Sequence, residues 1–161
     1  MFTSFQKIVT NPVKFRLFLF LKLPAAFFSG VRVKTLTKER SETVVPYRWF
    51  TTNPFKSTYF ACLSMAAEMS TGVLAMAHLY KRQPAMSILI IANEARYFKK
   101  ATGKIIFSCE EGLSLKKAID SAGERGEATE ITVTSSGRNE FGEIVAVFTF
   151  TWSFKNKNNK V

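Results

Sequence analysis

The stretch from Thr58 to Lys81 constrains the fold more than any other segment. It runs without proline in a helical pattern, and Glu68 is the one carboxylate along it. Small residues dominate it: Ala61, Cys62, Ser64, Ala66, Ala67, Ser70, Gly72, Ala75 and Ala77. A helix with so few charges on any face is buried on most sides. Its small side chains let another backbone approach closely, as a curved sheet would in wrapping around it. Ser57, after the Asn53-Pro54-Phe55-Lys56 turn, is positioned as the N-cap.

The flanking segments supply strands. Val31, Val33 and Thr35 alternate with Arg32 and Lys34, and a polar turn at 38–41 leads into Thr43-Val44-Val45-Pro46, which together read as a hairpin. Pro46 removes a ladder donor and places its strand at an edge or a bulge. Beyond the helix, residues 87–92, 94–100 and 104–110 read as strands. A helical patch over 113–122 is closed by Gly123 and Gly126. Residues 129–134 and 143–154 form a closing hairpin around Gly137 to Gly142, with Ile144, Ala146, Phe148, Phe150 and Trp152 on one face. This order predicts an α+β domain, an antiparallel sheet wrapped around one long central helix.

A chain of 161 residues fits one domain, and 47% hydrophobic residues with sixteen Phe require a large core. The apolar run 15–28 is broken by Arg16, Lys22 and Pro24 and is shorter than a membrane span. It reads as an extra N-terminal helix ending near Pro24, packed on the domain or resting weakly on a membrane surface. The expected organisation is a helical extension over 1–29, the main domain over 30–155 and a disordered tail over 156–161. With no secretory signal recognised, the expected location is cytoplasmic.

The net charge of +11 favours anionic partners. The cations are scattered rather than gathered in one run, which argues against nucleic acid. Cys62 and Cys109 lack CxxC spacing and read as buried thiols. His, Cys and carboxylates are not gathered at ligand spacing, so no metal site and no bound cofactor are expected.

Three motifs resemble the hotdog-fold acyl-CoA thioesterase superfamily, in its phenylacetyl-CoA thioesterase-like branch. Asn53 stands at the family's Asn position. Tyr59-Phe60-Ala61 replaces a His-Gly-Gly, and Ala66-Ala67-Glu68 replaces Leu-Ala-Asp at the same spacing. Arg96 to Lys104, with its Gly103 turn, forms the second match, and the strand after Gly142 the third. With Leu23-Pro24 and Trp152-Ser153-Phe154-Lys155 at the two ends, the whole is similar to a bacterial branch described as a domain of unknown function.

The resemblance implies a hotdog fold, an acyl-CoA or related acyl thioester as substrate, and a homodimer or dimer of dimers with the site at the subunit interface. It assigns catalysis to Glu68 and Asn53, with Glu68 as nucleophile or general base. The helix-start amides near Phe60 and Ala61 would hold the oxyanion, with Tyr59, Phe60 and Ala61 as substrate-binding residues. Lys99, Lys100 and Lys104 would meet coenzyme A phosphates. A Cβ at Phe60 and Ala61, where the family has glycines, narrows the thioester's approach, so a non-catalytic acyl or lipid binding protein of the same fold is the alternative. Glu68 has a plainer reading too, as a partner of a cation such as Arg96 across the dimer.

Overall fold

The computed structural model describes residues 2–125 and 127–157. Three short helices open the chain: α1 (Phe2–Val9), α2 (Pro12–Lys22) and α3 (Pro24–Phe28). The single helix expected over 15–28 is thus divided. Pro12 and Pro24 each begin a helix, where the missing N–H has no intrahelical partner to lose. Asn11 caps α2 by accepting from the amides of Val13 and Lys14 at 3.1 and 3.0 Å.

There follow β1 (Arg32–Leu36), β2 (Ser41–Val45), a short 3₁₀ turn at Trp49–Thr51, α4 (Phe60–Leu79), β3 (Met86–Tyr97), β4 (Ile105–Cys109), α5 (Gly112–Arg125), β5 (Thr129–Arg138) and β6 (Ile144–Asn156). The six strands form one antiparallel sheet in the order β1-β2-β4-β5-β6-β3. The long α4 packs on this sheet, touching β1, β2, β4, β5 and β6. This is the sheet around one helix that the small residues of α4 called for, and the hotdog arrangement that the resemblance implies.

Close approach is fastened by hydroxyls. Thr43 Oγ1 on β2 donates to the Ala66 carbonyl at 2.6 Å, Ser41 Oγ donates to the Ser70 carbonyl, and the Ser70 and Ser135 hydroxyls lie 2.7 Å apart, all buried. Larger residues at 66 and 70 would hold the sheet off these contacts. Thr43→Val keeps the shape and deletes one bond, and is expected to cost about 1 kcal/mol in urea unfolding. By length and composition alone α4 is apolar enough to cross a membrane, yet most of it is buried inside this domain.

Several local expectations change. Pro46 lies just past β2, an interior strand paired on both sides, and the irregularity falls on β1 between Val33 and Thr35. The strands expected at 87–92 and 94–100 are one, β3, with its register shifted between Ile90 and Ala92. The extra residue there breaks the period-two pattern and mimics a strand end. A second shift, between Gly137 and Arg138, leaves Val145 buried and Ile144 exposed, although Ala146, Phe148, Phe150 and Trp152 share the core face as expected. Gly137 lies within β5, and the hairpin turns at 139–143. Gly123 lies inside α5, which buries Leu115, Ala118, Ile119 and Ala122; Gly126 lies outside the described residues. Asn156, expected to begin the tail, still pairs with Met86, and Lys157 N donates to the Ala85 carbonyl at 2.9 Å. Residues 158–161 lie outside the described residues.

Candidate functional site

The turn before α4 is held by Asn53, whose Oδ1 accepts from the amides of Phe55 (3.0 Å) and Ser57 (3.2 Å) and from Ser57 Oγ (3.2 Å). Ser57 is therefore spent on this turn, and Tyr59 occupies the N-cap position without a side-chain bond. Thr58 donates through both N and Oγ1 to the Ala101 carbonyl, at 2.7 and 3.1 Å. The Val145 carbonyl, at the β6 bulge, accepts from Phe98 N at 2.8 Å and draws in the loop after β3.

These ties build a cavity of about 630 Å³ that gathers Asn53, Tyr59, Phe60, Tyr97, Phe98, Lys99 and Lys100. The amides of Phe60 and Ala61 have no acceptor among the described residues and lie at the positive end of the α4 dipole. Tyr59 and Phe60, with ring centroids 4.9 Å apart, stand exposed over this helix start. Ala61 is half-buried and is not part of the wall.

The three lysines differ. Lys99 pairs with Glu143, Lys104 pairs with Glu140 at 3.1 Å and lies outside the cavity, and Lys100 Nζ reaches only the Phe55 carbonyl at 3.5 Å. Exposed ion pairs are worth ~0–1 kcal/mol, so an incoming phosphate can exchange with either carboxylate.

Glu68 stands two turns further along α4 and opens elsewhere. From Phe60 to Glu68 the helix advances about 12 Å. The Glu68 side chain lines a second cavity of about 520 Å³, walled by α1 and α2 (Phe5, Phe15, Phe18), α4 (Met69, Met76), Ile88 and Trp152. Among the described residues this carboxylate has no hydrogen-bond or ion-pair partner, and burial pushes its pKa above the usual carboxylate value. Arg96, the cation considered for Glu68 across a dimer, binds Glu94 at 3.0 Å within the single chain, which leaves a pairing between two copies untested.

Three residues not assigned to the site from the sequence, Gly72, Thr71 and Trp152, shape it. An added Cβ at Gly72 would lie 2.9 Å from Glu68 Oε1, so the glycine leaves the space the carboxylate occupies. A glycine four residues after a lone helix carboxylate was the available signal. Trp152 Nε1 donates to Thr71 Oγ1 at 3.1 Å, and that hydroxyl donates to the Glu68 carbonyl at 2.9 Å, fixing the turn that carries the acid. Gly72→Ala is expected to preserve folding, with a helix-propensity gain of up to ~1 kcal/mol, while displacing the Glu68 carboxylate. Parallel unfolding and ligand-binding measurements check this.

One chain thus brings Asn53, Tyr59, Phe60, Lys99 and Lys100 together and leaves Glu68 apart. His78 is remote, its Nε2 donating to the Lys38 carbonyl at 3.0 Å. Cys62 and Cys109 are buried free thiols. Among the described residues no three His, Cys, Asp or Glu side chains are grouped to hold a metal.

Solved structures with this fold include a protein of unknown function from Pseudomonas aeruginosa described as a probable thioesterase. It has a TM-score of 0.74 and 21% identity, over 89% of this chain and 95% of that one. The thioesterase HI1161 of Haemophilus influenzae matches at 0.62 with 14% identity, over 89% and 90%. The E. coli PaaI protein of the phenylacetic acid degradation operon matches at 0.61 with 8% identity, over 90% and 94%. No protein of curated function matches the chain. A family-level match spans residues 14–154, nearly the whole sheet and its helix, and on that extent the chain belongs to the Domain of unknown function (DUF4442) family, with a hotdog fold.

Proposed function

We infer that the protein hydrolyses acyl-CoA or a related acyl thioester, with Glu68 as the general base. The observation that carries this is a half-buried Glu68, without a partner among the described residues, facing an apolar cavity able to take an acyl chain. A base is most effective when its pKa lies near the working pH, and burial moves Glu68 in that direction. Water attacks the acyl carbon and gives its proton to Glu68. The resulting oxyanion lies against the amides of Phe60 and Ala61, and collapse expels the thiolate, which takes the proton from Glu68. Asn53 orients the water or the thioester carbonyl, and Lys99 and Lys100 meet the coenzyme A phosphates, with Lys104 further along the rim. The proposed chemistry calls for no metal or cofactor, and the reading takes the cytoplasm as the protein's location.

Because Asn53 and Glu68 open into different cavities, a complete site draws Glu68 from one protomer and the helix start from another. The edge strand β3 supports this reading. It pairs only with β6, runs from Met86 to Tyr97, and exposes Leu89 and Ile91. Such an edge templates pairing with a second copy, giving a homodimer or a dimer of dimers. Leu89→Lys with Ile91→Lys is expected to shift the protein to monomer in sedimentation velocity and to remove hydrolysis with it.

Thiol release from short, medium and long acyl-CoA tests the activity, and an absence of turnover on the whole panel refutes it. The substitution of Gly-Gly by Phe60-Ala61, with Asn53 Oδ1 already engaged in its own turn, favours a second reading, a non-catalytic acyl binding protein. Acyl chains that copurify, with binding unchanged in Glu68→Gln, would select it.

A further inference from the structure

We propose that the outward face of α2, together with Trp49 and Phe50, docks the protein on an anionic lipid bilayer. The α2 helix is apolar on two faces. Phe15 and Leu19 are buried in the core, while Val13, Leu17, Phe20 and Leu21 repeat at i, i+4, i+7 and i+8 and are exposed, Val13 at 76% and Leu21 at 64%. At 3.6 residues per turn these four occupy about 100° of arc, an apolar stripe of the width that a surface helix normally buries. Lys14 borders the stripe beside Leu21, and Lys22 is the last residue of the helix.

The stripe continues into a run of touching rings. Phe20 and Phe27 lie 5.1 Å apart, Phe27 and Phe28 5.3 Å, Phe28 and Phe50 6.0 Å, and Phe50 and Trp49 6.4 Å. Trp49 is 89% exposed. Arg16 holds the corner between α2 and α3, its guanidinium 3.9 Å from the Phe27 ring centre and donating to the Phe27 carbonyl at 3.0 Å. The apolar surface is therefore carried on a fixed support.

Charge decides what covers it. Residues 2–38 contain Lys7, Lys14, Arg16, Lys22, Arg32, Lys34 and Lys38 and no Asp or Glu; Lys34 is paired with Glu42 at 3.2 Å, and Arg48 and Lys56 stand near Trp49 in the chain. A second copy meeting this face about a two-fold axis would bring like cations together with no carboxylate from the segment to offset them. Anionic headgroups supply that countercharge, and an indole with an apolar body and one N–H donor suits the headgroup boundary. At 11 residues, α2 is about 16 Å long, too short to span and suited to lie in the interface plane.

The test is cosedimentation of the full chain with vesicles of phosphatidylethanolamine containing phosphatidylglycerol, against phosphatidylcholine vesicles, with tryptophan emission recorded. Trp152 is buried, so a blue shift reports Trp49. The expected result is binding to the anionic vesicles alone, weakened by salt, with the blue shift lost in Trp49→Phe. Leu17→Ser with Leu21→Ser should lower partitioning about tenfold or more. Lys14→Ala and Lys22→Ala should each lower it about fivefold. The proposal is overturned by no binding, by equal binding to both vesicles, or by serine variants that leave partitioning unchanged while altering the oligomeric state.

Discussion

Glu68→Gln is expected to lower acyl-CoA turnover by about 10²- to 10⁴-fold, the usual contribution of a positioned general base, while leaving the protein at least as stable at neutral pH. The two readouts separate a functional acid from a structural one. A carboxylate that held the fold through a partner would lose stability on neutralisation, but Glu68 has no such partner among the described residues. Its folded pKa is raised by burial, so the neutral form suits the folded state and the charged form penalises it as pH rises through that folded value. The glutamine variant should therefore gain stability relative to the native protein at neutral and alkaline pH. The gain should vanish below the ordinary carboxylate value of 4.5, where both folded and unfolded chains carry a protonated Glu68. Urea midpoints across this range, beside thiol release for both proteins, give the comparison. A variant that is destabilised at pH 7 would return Glu68 to a structural role.

Gly112→Ala is expected to be the most damaging small substitution, costing about 3 kcal/mol or more. The glycine begins α5 where the β1–β2 turn crosses it, and its amide donates to the Glu39 carbonyl at 2.9 Å. An added Cβ would lie 2.1 Å from the Lys38 carbonyl oxygen and 2.9 Å from Glu39 backbone carbon, so backbone rather than a side chain would have to move. That same Lys38 carbonyl receives His78 Nε2 from the end of α4, so the strain reaches the central helix. For a domain of this size such a loss lowers Tm by on the order of 10 °C. Gly103→Ala is the control, since its added Cβ would meet only the tip of Glu140 at 3.3 Å. It should stay within about 0.5 kcal/mol of the native protein in the same thermal scan.

Much of the fold was legible because its evidence is local. The small residues of α4 and the period-two apolar face of β6 each express what their own segment must bury, and together they leave one sheet around one helix. The errors fall where one residue changes the local geometry. The extra residue near Ile91 made the single strand β3 read as two, Val145 exchanged places with Ile144, and Ser57 was drawn from capping α4 into the turn of Asn53. In each case a hydrogen bond to a partner distant in sequence, or within a competing turn, outweighed the propensity of the segment.

The site divides in the same way. The sequence by itself determined the helix, the sheet and the family, and it picked out Glu68 as the one carboxylate on an apolar helix, because burial and periodicity are properties of single segments. Only the tertiary structure decided that Asn53 and Glu68 face different cavities, that Gly72 makes room for the carboxylate, and that α1 and α2 wall its pocket. Those facts depend on which faces of separate elements meet and at what distance, and contacts across that many residues leave no periodic trace in a single chain.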